Sequence, residues 1–500
     1  MPLADLSPET RHLIDGRLQE SVSGARFANV NPATEEVLGT AADATPADLH
    51  TAIAAARRAF DGTDWATNPA LRARCLRQLR AGLLAEKEQL RSIVVREAGA
   101  PVALTSFMHV DDSIEMLAYW AEKAESAVYE RPMADVTFLG RPQRRLLRRE
   151  AMGVVGAITP WNVPLLLNLT KIGAALAAGC TVVLKPAPDT PWSATHLGRI
   201  ATAMTELPPG VLNIVASSDP LVGEALVRDP RVDMVTFTGS TATGRRVMQL
   251  GAATVKKVFL ELGGKSAAIV LDDADLVAVL PGAAATCIHA GQGCAITTRW
   301  LVPRARYAGA LEILRAAFEA WKYGDPEDPT NLQGPQISRR QQERVLAWVD
   351  RGRAEGARLL VGGGRPARRG FYVEPTLFAD VDPKSSIAQE EIFGPVCCVI
   401  HYEDDEHAVA IANDSIYGLS GAVYSQDESR ALGVARRIRT GTISVNGGQW
   451  FHVDTPFGGY RQSGVGRENG EQGFDEHLQT KVIAMPGGTR DQAEAACAPR

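Results

Sequence analysis

Cysteine is scarce, with seven residues in 500 at irregular spacing. No disulfide framework can be built from them, and no C-x-x-C pair or Cys/His cluster has zinc-ligand spacing. No metal is expected, and a reducing cytoplasm is the expected compartment. Long apolar runs are missing too. The longest, residues 172–184 between Lys171 and Lys185, is shorter than the ~20 residues that cross a bilayer. Asp5, Glu9 and Arg11 occupy the stretch where a secretory signal needs an apolar core, so neither export nor membrane insertion is expected. Nor is positive charge in excess. A formal net charge of -5 gives no electrostatic footprint for nucleic acid. The one basic run, Arg141, Arg144, Arg145, Arg148 and Arg149, reads as a solvated strand or a subunit-contact edge, where positive side chains block stray pairing. Repeats and low-complexity tracts are absent, which excludes solenoids and arrays.

What is present is ordinary soluble composition, 45% hydrophobic and 22% charged, in a chain long enough for two or three domains. β-branched runs alternate with Ala/Leu/Arg stretches, the pattern of an α/β protein with mostly parallel strands. Val154-Val155-Gly156-Ala157-Ile158 reads as a buried strand, followed by a helix over 166–178 that stops at Gly179. Thr181-Val182-Val183-Leu184 is the next strand, and Lys185-Pro186 breaks it. A helix over 193–206 leads to a strand over 211–215, and Met234-Val235-Thr236-Phe237 adds another. Such repeats build a nucleotide-binding sheet with ligands at the carboxyl ends of its strands. A second series begins at Ala267-Ala268-Ile269-Val270-Leu271 and continues through Cys397-Cys398-Val399-Ile400 and Thr442-Ile443-Ser444-Val445. It implies a second α/β domain. From Gly487 onward the residues are small and polar, as in a frayed tail.

The chemistry is concentrated in glycine-rich segments. Cys294 ends His289-Ala290-Gly291-Gln292-Gly293-Cys294, and Glu261 opens Glu261-Leu262-Gly263-Gly264-Lys265. Glycine lets backbone amides approach a reacting carbonyl. A carboxylate beside a Gly-Gly turn can move between acid and base positions without backbone strain. Alone, a cysteine is more often a buried structural thiol, the reading kept for Cys75, Cys180, Cys287 and Cys497. A glutamate after the apolar Val-Phe-Leu run is, alone, more often a paired structural charge. Thr159-Pro160-Trp161-Asn162 and Glu390-Glu391-Ile392-Phe393-Gly394-Pro395 complete an ordered set. Together these segments resemble the NAD(P)-dependent aldehyde dehydrogenase superfamily, over about residues 14–482.

The resemblance implies an aldehyde-dehydrogenase-like fold. Its parts would be a Rossmann-type nucleotide-binding domain (1–128 and 150–262), an α/β catalytic domain (263–470), a small β oligomerisation element (129–149 and 471–486) and a flexible tail (487–500). Homodimers or homotetramers are implied through the β element. The implied activity is oxidation of an aldehyde to a carboxylic acid. Cys294 matches the nucleophile that forms a thiohemiacetal. Asn162 matches the oxyanion residue, acting with the Cys294 N–H; one such donor is typically worth about 3–4 kcal/mol. In other company, an Asn in this loop would be ordinary turn chemistry. Glu261 matches the base that activates water to hydrolyse the thioester, which separates this chain from CoA-acylating relatives. Lys171 and Glu468, the latter in Gly466-Arg467-Glu468-Asn469-Gly470, match a proton relay.

For the cofactor, Thr238-Gly239-Ser240-Thr241-Ala242-Thr243-Gly244 follows a strand and precedes a helix expected to begin near Gly244. Free amides at a helix N-terminus favour a pyrophosphate. Gly239 to Gly244 spells G-x-x-x-x-G rather than the usual G-x-G-x-x-G. By resemblance, Lys185 binds the adenine ribose, and Glu391 and Phe393 hold the nicotinamide ribose and ring. Thr159, Pro160, Trp161 and Leu262 belong to the same cleft. One position departs from the pattern. NAD-preferring members commonly carry Glu three residues past the lysine, and here Pro188 stands there, followed by Asp189. A proline side chain neither donates nor accepts, so the usual rejection of a 2′-phosphate is missing. Asp189 can take over that role. NAD is the favoured cofactor and NADP use stays open.

Val163, Leu166, Leu167 and Thr170 are expected to form one wall of the aldehyde tunnel, with Trp450, Phe451 and Phe457 opposite. The first wall is aliphatic and open, and the residues flanking Cys294 are Gly293 and Ala295. The expected substrate is an uncharged, medium-length or bulky aldehyde, aliphatic or aromatic, though these are also ordinary core residues. Two other readings compete. One is a catalytically silent dinucleotide-binding protein of the same fold, which the set Cys294, Glu261 and Asn162 argues against. The other is a thiol esterase or hydrolase using His289 as base, which would leave the cofactor segments unexplained.

Overall fold

The computed structural model of the chain describes residues 3–487. Strands Val154–Ile158, Thr181–Lys185, Leu212–Ile214, Met234–Thr238 and Lys257–Glu261 run parallel in the centre of an eight-stranded sheet. His12–Ile14 and Arg17–Gln19 close one edge antiparallel, and Gly464–Val465 closes the other. The central strands are apolar and buried because helices cover both faces. From Val154–Ile158 the chain builds outward through Thr181–Lys185 to Leu212–Ile214. It then returns to the other side of Val154–Ile158 to lay down Met234–Thr238 and Lys257–Glu261. This reversal opens a crevice beyond Ile158 and Thr238, the place where open α/β sheets take their ligands.

The helix expected over 166–178 is Pro164–Ala178, because Pro164 at its start is already preorganised for helix. It ends at Gly179, whose φ of +98° suits glycine. Apolar on nearly every side, this helix is buried at every residue except the half-buried Leu167. The helix expected over 193–206 is Trp192–Met204. The helix expected near Gly244 starts earlier, at Thr241, because Ser240 caps it by accepting from the Thr243 amide. Gly244 therefore lies inside the first turn, where a Cβ would sit 2.5 Å from Leu262.

Glu261 ends the last parallel strand of the first sheet, and five residues later Ser266–Val270 begins the second sheet. That seven-stranded sheet runs Arg358–Val361, Thr376–Ala379, Val396–Tyr402, Thr297–Pro303, Ser266–Val270, Gly421–Tyr424, Ser444–Val445. All neighbours are parallel except the Arg358–Val361 edge. The strand expected over 442–445 shortens to Ser444–Val445, because the amides of Gly441 and Thr442 both turn to Leu419 O. Arg141–Ala151 pairs with Leu478–Pro486, Glu130–Pro132 and Val136–Phe138 in a separate small sheet. It carries the basic run, with Arg148 bridging Glu130 and Glu150 and Arg149 paired with Asp475. Gly487 N donates to Pro142 O at 2.7 Å; the rest of the expected tail, 488–500, lies outside the described residues. Among the described residues no helix is long and apolar enough to cross a membrane, and no cluster of metal-ligating side chains occurs.

Candidate active site

Three loops meet where the two large sheets face each other. Asn162 lies in the turn after Val154–Ile158, Glu261 ends Lys257–Glu261, and Cys294 precedes Thr297–Pro303. All three line one cavity of about 690 Å³. The Gly-Gly turn after Glu261 makes the approach possible. A Cβ on Gly263 would stand 2.3 Å from Glu391 Oε2, and one on Gly264 would stand 2.7 Å from Cys294 O. The Gly264 N–H donates to Glu391 Oε1 at 3.0 Å.

The segment before Cys294 is conformationally costly. His289, Ala290 and Gly291 have φ of +48°, +55° and +70°, and the first two are not glycine. Gln292, fully buried, holds the segment in place. Its Nε2 donates to His289 O at 3.1 Å and Pro335 O at 3.2 Å, and its Oε1 accepts from Ile337 N at 2.9 Å. Asn162 Nδ2 donates to Gln292 O at 2.9 Å, using one of its two amide protons. His289 Nε2 donates to Asn162 O at 2.7 Å. With the proton on that nitrogen, the lone pair of His289 sits on Nδ1, which has no hydrogen-bond partner and so does not touch the Cys294 thiol.

The electrostatics are governed by burial. Burial, then the neighbouring Glu261 carboxylate, holds the Cys294 thiol well above the usual thiol range. Burial, then Glu468, holds Glu261 well above the usual carboxylate range, and Glu261 Oε1 has no hydrogen-bond partner. Burial pushes Glu391 up to about 7. A protonated thiol therefore faces a carboxylate of raised basicity. Behind them, Lys171 Nζ donates to Glu468 Oε2 at 2.7 Å, both side chains being buried.

The structure gathers most of the expected residues. Pro160, Trp161, Thr238, Gly239, Ser240, Leu262, Glu391 and Phe393 line the cavity with Cys294. Trp161 and Phe393 meet edge to face at 5.4 Å. Val163, Leu166, Leu167 and Thr170 form one wall; Trp450, Phe451 and Phe457 also line it, Trp450 stacking on Phe457 at 5.5 Å. Thr159 does not line this cleft, because its hydroxyl turns back to Asn168 Oδ1 at 2.7 Å. Lys185, Pro188, Asp189, Gly244 and Lys171 also lie off its surface. Lys185 Nζ donates to Ser217 O at 3.2 Å, and burial lowers it to about 8.

Other lining residues went unnoticed in the sequence. Leu104, Phe107, Met108 and His109 reach the cavity from the turns Val102–Leu104 and Thr105–His109. Arg344 lines it too and donates to Glu391 O at 3.0 Å. The uncharged residues flanking Cys294 in sequence thus gave an incomplete account, since the fold brings Glu261, Glu468, Glu391 and Arg344 to the same space.

The sequence model of the aldehyde dehydrogenase family matches residues 19–483. The chain belongs to the aldehyde dehydrogenase family. Its similarity to geranial dehydrogenase of Castellaniella defragrans is 41% identity, covering 95% of this chain and 99% of that one. A crystal structure of Mycobacterium tuberculosis aldehyde dehydrogenase complexed with NAD+ superposes with a TM-score of 0.92 at 41% identity, covering 97% of this chain and 99% of that one. Aldehyde dehydrogenase C of Pseudomonas syringae, a cysteine-to-alanine mutant complexed with NAD+ and octanal, gives 0.90 at 39%, covering 96% and 98%. This aldehyde dehydrogenase is an NAD(P)-dependent oxidoreductase acting on the aldehyde group.

Proposed function

We propose that the chain oxidises uncharged aliphatic or aromatic aldehydes to carboxylic acids, with Cys294 as nucleophile, Asn162 as oxyanion donor and Glu261 as base. The carrying observation is the convergence of these three side chains on one cavity walled by Leu166, Leu167, Trp450 and Phe457. Glu261, held basic by burial, takes the Cys294 proton, and the thiolate adds to the aldehyde carbon. The second N–H of the Asn162 amide and the Cys294 N–H receive the alkoxide. Bound NAD supplies the acceptor for the hydride of the thiohemiacetal. The Lys171–Glu468 pair passes that first proton away, so that Glu261, ionised again, deprotonates a water that attacks the thioester and expels the Cys294 thiolate.

The residues present fit that cofactor. The Ser240-capped helix Thr241–Gly251 offers its N-terminal amides beside the cavity. Glu391, fixed by the Gly264 amide, and Phe393, against Trp161, stand where the nicotinamide half would rest. Lys185 ends the neighbouring strand and the Pro188-Asp189 turn follows it; these residues would hold the adenine ribose. The finer reading also includes a homodimer or homotetramer joined through the sheet of Arg141–Ala151 and Leu478–Pro486. Its support is Phe138 and Leu139, 65% and 85% exposed on the adjoining hairpin. A cytoplasmic setting accords with the six free cysteines among the described residues.

A panel followed by NADH absorbance tests the substrate class. Medium-chain alkanals and benzaldehyde should exceed succinic semialdehyde in kcat/KM by about tenfold or more, as an apolar wall discriminates against a desolvated charge. Preference for the charged aldehyde would overturn it. Cofactor choice is tested at Asp189, whose carboxyl burial holds above its usual range. Asp189→Ser should raise the NADP-to-NAD ratio of kcat/KM, each tenfold change corresponding to about 1.4 kcal/mol. An unchanged ratio would remove Asp189 from the ribose site. Wild-type turnover with NADP equal to that with NAD would end the preference itself.

A further inference from the structure

We propose that His289 is a positioning residue of this site, its imidazole fixing the Asn162 loop against the Cys294 loop so that amide and thiol meet in register. The inference rests on the roles given above to Asn162 and Cys294. Two hydrogen bonds cross the same gap in opposite senses. His289 Nε2 donates to the main-chain O of Asn162 at 2.7 Å, and Asn162 Nδ2 donates to Gln292 O at 2.9 Å. One holds the backbone of Asn162 and the other its side chain, and both anchors belong to the segment that ends at Cys294. Oxyanion donor and nucleophile are thereby fixed to each other.

The protonation state follows from the partner. A carbonyl oxygen only accepts, so Nε2 carries the proton. Burial lowers the His289 pKa to about 4, so the ring stays neutral and the donor persists. Its freedom to swing is small. The His289 amide donates to Leu332 O at 2.9 Å, its carbonyl accepts from Gln292, and its ring meets His109 edge to face at 4.7 Å. The left-handed φ of +48° is an uncommon conformation for a residue with a side chain. It accompanies the orientation that brings the buried imidazole to Asn162 O.

Two variants of the full-length enzyme separate positioning from mere packing. His289→Phe keeps the ring and removes the donor; His289→Gln keeps a donor of similar reach. The Phe variant should lose about ten- to a hundredfold in kcat, less than deletion of an oxyanion donor itself, with KM changed by less than about threefold. Its deuterium isotope effect with 1-deuterated aldehyde should rise, because a displaced amide slows hydride departure. The Gln variant should return to within about threefold of wild type. Wild-type kcat in the Phe variant, or equal loss in both, would overturn the proposal. Should the Phe variant fail to bind NAD, His289→Leu carries the same expectation. Failure of the underlying functional reading looks different: wild-type enzyme would then oxidise no aldehyde.

Discussion

Cys294→Ala is expected to lower aldehyde oxidation by about three orders of magnitude or more, while NAD still binds. No other group in the cavity can replace the thiol. Glu261 and Glu468 are carboxylates, Asn162 carries an amide, and the lone-pair nitrogen of His289, Nδ1, is buried. The substitution removes one sulfur atom from a loop whose shape is set elsewhere, by Gln292 bound to His289, Pro335 and Ile337. Thr238, Ser240, Glu391 and Phe393 come from other segments and are untouched. Turnover measured as NADH, beside NAD titrated by tryptophan fluorescence, checks both halves. Oxidation retained above a few per cent of wild type would remove Cys294 from its role.

Glu261→Gln should separate the two halves of the reaction. An amide cannot take a proton from water, so acyl-enzyme accumulates: one NADH per active site in a burst, then slow turnover. A smaller burst is the sign of a second task, deprotonation of Cys294. The pH dependence follows from the raised carboxyl. Glu261 accepts a proton only when ionised, so hydrolysis is lost as pH falls through its pKa and regained as pH rises. Burial and Glu468 place that limb above the ordinary carboxylate range. The Cys294 thiol is raised as well, so the acylation burst should also speed up with pH. Stopped-flow traces against pH read the two limbs separately, and only the steady-state limb should vanish in the variant. A variant with neither burst nor trapped thioester would assign Glu261 to an earlier step.

Much of the architecture was legible because parallel strands buried on both faces are written as β-branched runs, as at Val154–Ile158 and Thr181–Lys185. The reversal of sheet order beside Val154–Ile158 was not, since pairing is settled by long-range packing. Capping chemistry moved the helix start from Gly244 to Thr241. In the cavity, short glycine-rich segments marked where Glu261 and Cys294 approach. The far wall carried no such mark. Leu104, Phe107, Met108 and His109 sit in irregular turns with no strand or helix period, far from Cys294 in sequence. Only the fold reveals what they face. The Thr159 hydroxyl was likewise undecidable, because Asn168 lies one helical stretch away and becomes its partner only when Pro164–Ala178 forms.

The chain crosses itself once more at the cavity floor. Phe457 N donates to Glu468 O at 2.7 Å, and Glu468 N donates to Phe457 O at 2.8 Å. An aromatic plate that would greet the aldehyde and a carboxylate behind the base are thus the two ends of one isolated antiparallel bridge. Selection for a bulkier or slimmer substrate at Phe457 would tug on Glu468, and so on the Lys171 contact and the basicity of Glu261. If Phe457 meets the aldehyde and Glu468 serves the base, as proposed, laboratory evolution of substrate choice at the first is expected to shift the rate of hydrolysis through the second.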